Sequence, residues 1–135
     1  MADPTALKDQ GNAHFQAGEW LKAAAMYTQA IKAKGESDPE SAVLFSNRSA
    51  ALLKLKKVTK ALEDAEQCIK LRPEWEKGYF RKGAVLEDLE NFSEALEVYQ
   101  HALTIVSDSK ELSVKIRTIA KLAKKDTKSK AEKAG

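Results

Sequence analysis

Five polar side chains recur at spacings that suit the capture of an anion. Lys8 and Asn12 lie four residues apart, which on a helix puts them on one face a single turn from each other. Lys77 and Arg81 repeat that arrangement, and Asn47 falls between the two pairs. Three cations and two amides form a donor-rich set. Arg offers a bidentate fork, Lys a point charge and Asn an amide N–H, and all of these match carboxylate oxygens. A lone surface Lys is usually only solvated, so the five matter only if something brings them to one wall. The two Asn are more telling, because Asn competes with the backbone for hydrogen bonds and is a poor residue in the middle of a helix.

The element that would position them is a repeat. Residues 21–31 (LKAAAMYTQAI), 59–69 (TKALEDAEQCI) and 93–103 (SEALEVYQHAL) align at offsets of 38 and 34, and the stretches 6–20, 44–58 and 78–92 align at the same spacing. A period in this range marks stacked helical repeats, whose concave face commonly holds an extended peptide. Leu62, Ala65, Ile69 and Leu96, Tyr99, Leu103 recur at three- and four-residue intervals, and Pro is confined to Pro4, Pro39 and Pro73 at starts or junctions. Each repeat therefore reads as two antiparallel helices, giving an all-α fold. Small residues recur where helices must approach closely: Gly11, Ser49 and Gly83 in the first helices, Ala23, Ala61 and Ala95 in the second, followed by Ala30, Cys68 and Ala102. The extra four residues of the longer offset fall in GESDPESA (35–42), a polar loop. Residues 110–124, with Leu112, Ile116, Ile119, Ala120 and Ala123 in one stripe, are expected to cap the last apolar face and to end a domain of residues 1–124. Residues 125–135 are expected to form a Lys-rich flexible tail. In such a stack the first helices line the concave wall, which puts the five polar residues along one groove.

Gly at the eighth position, Ala at the twentieth and twenty-seventh, aromatics between them and Pro closing the second unit resemble the tetratricopeptide repeat. The resemblance implies a right-handed superhelix of three helix–turn–helix repeats, 4–37, 42–75 and 76–109, plus the capping helix. The middle unit departs twice, with Ser49 for Gly and Ala65 for an aromatic, and His14 stands where Tyr or Leu is common. The segments KDQGN (8–12), SNRSA (46–50) and KGYFRKG (77–83) are similar to those of the carboxylate-clamp tetratricopeptide domains of co-chaperones and chaperone-linked phosphatases and immunophilins. That resemblance implies a co-chaperone adaptor whose partner is the C-terminal Glu-Glu-Val-Asp of heat-shock protein 90 or heat-shock protein 70. It further implies that Lys8, Asn12, Asn47, Lys77 and Arg81 grip the terminal Asp by both of its carboxylates. Phe15, Ala50 and Lys54 lie on the same helices and are candidates either for contact with the peptide's Val and Glu side chains or for packing.

Other functions find less support. The formal charge is +3, but residues 121–135 carry six Lys against Asp126 and Glu132, so the remaining 120 residues sum to −1 and no broad nucleic-acid face is expected. No apolar run approaches the ~20 residues of a membrane span. No secretory signal is visible in MADPTALKDQ, and Cys68 is alone, so a reducing, cytoplasmic setting is expected; the module is also expected to be a monomer. Cys68 reads as a buried structural thiol, His14 and His101 as no metal pair, and Tyr27, Tyr99, Trp20 and Phe92 as core. Glu63, Asp64 and Glu66, like Glu87, Asp88 and Glu90, read as acidic outer faces. No catalytic residues, metal or cofactor are expected. The competing readings are a scaffold for an internal peptide segment, the docking part of a larger enzyme, and anion binding through the Lys-rich end.

Overall fold

The computed structural model of the protein describes residues 3–134, with side chains to Lys125. Among the described residues it is all-helical: α1 (Pro4–Gln16), α2 (Trp20–Lys34), a 3-10 turn (Pro39–Ser41), α3 (Ala42–Lys54), α4 (Val58–Leu71), α5 (Glu76–Asp88), α6 (Phe92–Ile105) and α7 (Lys110–Ala134). The helices pack as hairpins, α1 on α2, α3 on α4 and α5 on α6, and each hairpin packs on the next. α3 also touches both α1 and α5, so the three first helices stand side by side and form one wall. No described helix is long and apolar enough to cross a membrane.

Local chemistry sets the helix starts. The Asp3 carboxylate accepts the Thr5 N–H at 3.1 Å with Pro4 at the first helical position, and Asp38 with Pro39 repeats the device at the 3-10 turn, accepting the Glu40 N–H at 2.9 Å. Such caps satisfy donors that the helix itself leaves unpaired. The three turns inside the hairpins are copies of one another. Glu19, Lys57 and Asn91 each donate their N–H to a carbonyl five residues back, on His14, Leu52 and Leu86. This is the closure of a helix end through a left-handed residue. That residue is Gly18 (φ 77°) in the first turn but Lys56 (φ 61°) and Glu90 (φ 58°) in the others.

The repeated small residues make the helix crossings. A Cβ on Gly11 would stand 2.6 Å from Tyr27 Cε1, and one on Gly83 would be tighter still against Tyr99. Both rings are sealed, at 1% and 0% exposure. In the middle hairpin the equivalent pair is Ser49 and Ala65, both buried, and the Ser49 hydroxyl donates to the Ala61 carbonyl at 2.8 Å. One apolar cluster runs from Leu7 through Phe45 to Val85, and a second joins Leu86 and Tyr99 to Leu112, Ile116 and Ile119 of α7. The capping stripe thus covers α5 and α6. α7 runs on to Ala134, and the tail expected at 125–135 falls, apart from Lys125, on residues whose side chains lie outside those described.

In the two acidic runs Glu63, Glu66, Asp88 and Glu90 are exposed, but Asp64 and Glu87 are not part of an outer face. Asp64 is only 4% exposed and binds Arg48 through both oxygens, Nε to Oδ2 at 2.7 Å and Nη2 to Oδ1 at 2.8 Å. Glu87 likewise is half-buried and accepts the Tyr99 hydroxyl and the Lys115 ammonium, tying α5 to α6 and α7.

Candidate functional site

Three consecutive residues of α3 reach four neighbouring helices. Ser46, buried at 1% exposure, accepts the Nε–H of Arg81 on α5 at 3.1 Å. Asn47 donates its amide to Asn12 Oδ1 on α1 at 3.3 Å. Arg48 turns to the other side, binding Asp64 of α4 and donating Nη1 to Thr28 Oγ1 of α2 at 3.1 Å. The side chains of adjacent helical residues point about 100° apart, which lets one short segment link all three repeats. Asn12 Oδ1 accepts a second bond, from the Tyr27 hydroxyl at 2.6 Å.

Asn12, Asn47 and Arg81 line a single open groove of about 220 Å³ together with Phe15 and Ala50. Phe15, Ala50 and Arg81 also border the adjoining hollow of about 340 Å³, where Lys54 joins them. Lys77 meets Arg81 in a third, of about 330 Å³, against the start of α7. Arg81 therefore sits where three concavities meet. Lys8 differs: one turn nearer the start of α1 than Asn12, it lines a separate hollow of about 370 Å³ with Asp3, Lys34, Glu40 and Arg72. Among the described residues neither Lys8 nor Lys77 has an ion-pair or hydrogen-bond partner, and the Lys54 ammonium lies over the Trp20 ring, with Nζ 5.5 Å from its centroid.

Burial shapes the titration of the groove. It holds the Arg81 guanidinium below its ordinary value, an effect opposed by Cys68 and Tyr27. Burial also raises the Tyr27 phenol, which the charge of Arg81 partly offsets. The Cys68 thiol, fully buried behind the groove, is pushed up to about 11, so at neutral pH it is protonated and inert. Ser46, Tyr27 and Arg48 escaped the reading of the sequence. Only Ser46 offered a clear signal, since it sits beside Asn47 in the quoted SNRSA segment and an interior Ser, like an interior Asn, needs a reason.

The architecture is a solenoid of helical hairpins with a polar concave wall, the general class of peptide-holding repeat modules. Family models described as tetratricopeptide repeat match residues 8–74 and 76–106, and the chain belongs to that family. It is 43% identical over 103 residues to heat shock protein STI1 of Saccharomyces cerevisiae, an alignment that takes in 76% of this chain and 17% of that protein. Among solved structures it is similar to the first TPR of Spaghetti (RPAP3) bound to the HSP90 peptide SRMEEVD, with a TM-score of 0.80, 30% identity, and 89% of this chain and 97% of that one covered. The TPR2B domain of yeast Sti1 in its pHsp70 complex is also similar, with a TM-score of 0.74, 28% identity, and 93% and 97% covered.

Proposed function

We propose that this module is a co-chaperone adaptor that binds the extreme C-terminus of heat-shock protein 90 or heat-shock protein 70, ending Glu-Glu-Val-Asp, through Lys8, Asn12, Asn47, Lys77 and Arg81. The observation that carries this reading is the chemistry of the groove. Asn12, Gln16, Asn47 and Arg81 line it and no carboxylate does, so it offers amide and guanidinium N–H donors and a positive charge to whatever enters. Lys8 and Lys77, on the first helices α1 and α5, have no ion-pair or hydrogen-bond partner among the described residues. A chain-terminal Asp carries two carboxylates on one residue, and charge-assisted bonds to both fix its orientation as well as its affinity. The Val and Glu side chains before it then meet Phe15, Ala50 and Lys54 in the adjoining hollow. The similar domains whose structures hold HSP90 and Hsp70 peptides support the choice of partner. The role is one of docking rather than bond chemistry, in the cytoplasm where those chaperones work.

A short peptide buries little area, so the dissociation constant is expected to be on the order of micromolar. Titrating a labelled Glu-Glu-Val-Asp peptide by fluorescence anisotropy, beside the same peptide amidated at its C-terminus, tests the reading. The acid should bind and the amide should bind much more weakly. Arg81→Ala or Lys77→Ala should cost about 1.5–3 kcal/mol, the range for hydrogen bonds to charged groups, and added salt should weaken binding. Equal binding of the two peptides rules out the carboxylate as the anchor.

A further inference from the structure

Tyr27 lies in the second helix of its hairpin, behind the concave wall, and nothing about its place in the sequence separates it from core. Its ring packs over Gly11 and is 1% exposed, yet its hydroxyl ends on Asn12, inside the groove. Resting on the reading of the groove given above, we propose that the Tyr27 hydroxyl is a positioning group that makes the site select a carboxylate over a carboxamide.

An Asn amide has two faces of similar shape and opposite chemistry, so its orientation is set by its partners. Asn12 Oδ1 takes two donors, the Tyr27 O–H at 2.6 Å and the Asn47 N–H at 3.3 Å. The two donors are not equivalent. Asn12 and Asn47 could both turn over and keep a bond between them, with oxygen and nitrogen exchanged. The phenol breaks that symmetry, because among the described residues Asn12 Oδ1 is its only hydrogen-bond partner. Turning Asn12 over would leave a buried O–H without an acceptor, which is costly away from water.

With Asn12 fixed, Asn47 is fixed through it. The Asn12 amino group has no partner among the described residues, and Asn47 keeps one N–H to spare. Arg81 points the same way chemically: Ser46 holds its Nε, and its two terminal amino groups have no hydrogen-bond partner among the described residues. Apart from Asn47 Oδ1 and the Gln16 amide, the polar groups that this network leaves free at the groove are donors. An entering carboxylate, which only accepts, suits the Asn12 amino group that Tyr27 orients and the Arg81 fork that Ser46 holds. A carboxamide meets those same oriented donors with N–H groups of its own.

The experiment compares Tyr27→Phe with the wild type, using the acid and amidated Glu-Glu-Val-Asp peptides. Phe keeps the ring over Gly11 and removes only the hydroxyl. The acid should bind about tenfold more weakly to the variant, as for loss of one well-placed hydrogen bond. The amide should bind unchanged or slightly better, so the ratio between the two peptides shrinks. In an Asn12→Ala background, Tyr27→Phe should have no further effect on the acid, because the group it positions is gone. A general loosening of the fold would instead weaken both peptides alike in either background. Equal weakening of both peptides, an unchanged ratio, or the same loss with and without Asn12 overturns the proposal. A wild type that fails to distinguish acid from amide overturns the groove reading and this one together. A wild type that distinguishes them while Tyr27→Phe does so equally well overturns this one alone.

Discussion

The outer hairpins and the middle one solve the same packing problem with opposite residues. In the first and third, a Gly on one helix admits a Tyr ring from the other, Gly11 with Tyr27 and Gly83 with Tyr99. In the middle hairpin the bulk is shared out as Ser49 against Ala65, both sealed from solvent. The difference extends to the polar groups. Each Tyr sends its hydroxyl across to the first helix, to Asn12 in one case and Glu87 in the other. The middle hairpin has no phenol there, and its cross-helix polar links are the Arg48–Asp64 pair and the Ser49 hydroxyl on the Ala61 carbonyl. The positions equivalent to Asp64 in the outer hairpins are Met26 and Val98, both apolar. A shared backbone thus tolerates two interiors, provided that volume and hydrogen bonding are balanced within each hairpin.

The largest test of that comparison breaks the middle hairpin's pair. Asp64→Ala should destabilise the protein by about 3 kcal/mol, the low end of the range for breaking a buried pair, because the Arg48 left behind is partly exposed and keeps its bond to Thr28. Arg48→Leu combined with Asp64→Met, which copies an apolar interior like that of the outer hairpins, should cost much less than the single change, since well-packed apolar residues often replace a buried ion pair with little loss. Urea denaturation of the two variants gives both values. A double variant as damaged as the single one would mean that the pair is not a self-contained unit.

Much of this was legible in the residues. The offsets of 38 and 34, the recurrent Gly and Ala and the helical period define the hairpins, and the first helices carry the polar quintet. What sequence alone does not convey is which residues meet. Ser49 and Ala65 look like two separate departures from the repeat, yet they are the two halves of one contact, and only the pairing of α3 with α4 makes that plain. Tyr27 scores as core because its ring is core; the reach of its hydroxyl into the groove depends on how α2 lies against α1. Asp64 sits among Glu63 and Glu66 and so reads as surface. Its spacing from Ala61, Ala65 and Cys68 puts it on the buried face, a signal that the charge of the segment masks. Lys8 shows the opposite limit. It shares a helix face with Asn12, but a single turn of separation is enough to give it a different hollow.

The Gly–Tyr contact can be tested from the other side. Gly11→Ala should destabilise by about 2–3 kcal/mol despite Ala's better helix propensity, because the new methyl meets a ring that is walled in and held by its hydroxyl. Adding Tyr27→Ala to Gly11→Ser imports the middle hairpin's solution, and thermal unfolding should show the double variant to be more stable than Tyr27→Ala alone. No such recovery would show that the exchange needs more than these two positions.

The middle hairpin also differs in carrying Cys68 where its neighbours have Ala30 and Ala102. Burial raises this thiol from its ordinary 9.0 to about 11. A folded-state value above the unfolded one means the contribution is complete below about pH 9. It is lost as the pH rises towards 11, because the unfolded chain releases a proton there that the folded chain retains. Stability should therefore fall by about 2 kcal/mol over that window from this group. Tyr27 and Tyr99, also raised by burial, extend the loss to higher pH. Cys68→Ala should flatten the profile between pH 9 and 11 and leave its course below pH 8 unchanged. An identical alkaline slope in both proteins would place the loss elsewhere.

The smallest expected effect concerns the three turns, which share one hydrogen-bond pattern but not one residue. The left-handed position is Gly18 in the first and Lys56 and Glu90 in the others. A side chain in that conformation is strained by its Cβ, at roughly 1–2 kcal/mol, whereas Gly adopts it freely but gains more freedom on unfolding. The first term is the larger, so Glu90→Gly should stabilise the protein by about 0.5–1 kcal/mol. Glu90 suits the measurement better than Lys56, which also reaches Asp88 at 3.2 Å, while Glu90 has no ion-pair partner among the described residues. Chemical denaturation with an unchanged m-value would read the gain directly. A loss of stability would mean that the strain at this turn is smaller than its φ of 58° implies, and that the entropy of the unfolded chain decides the balance.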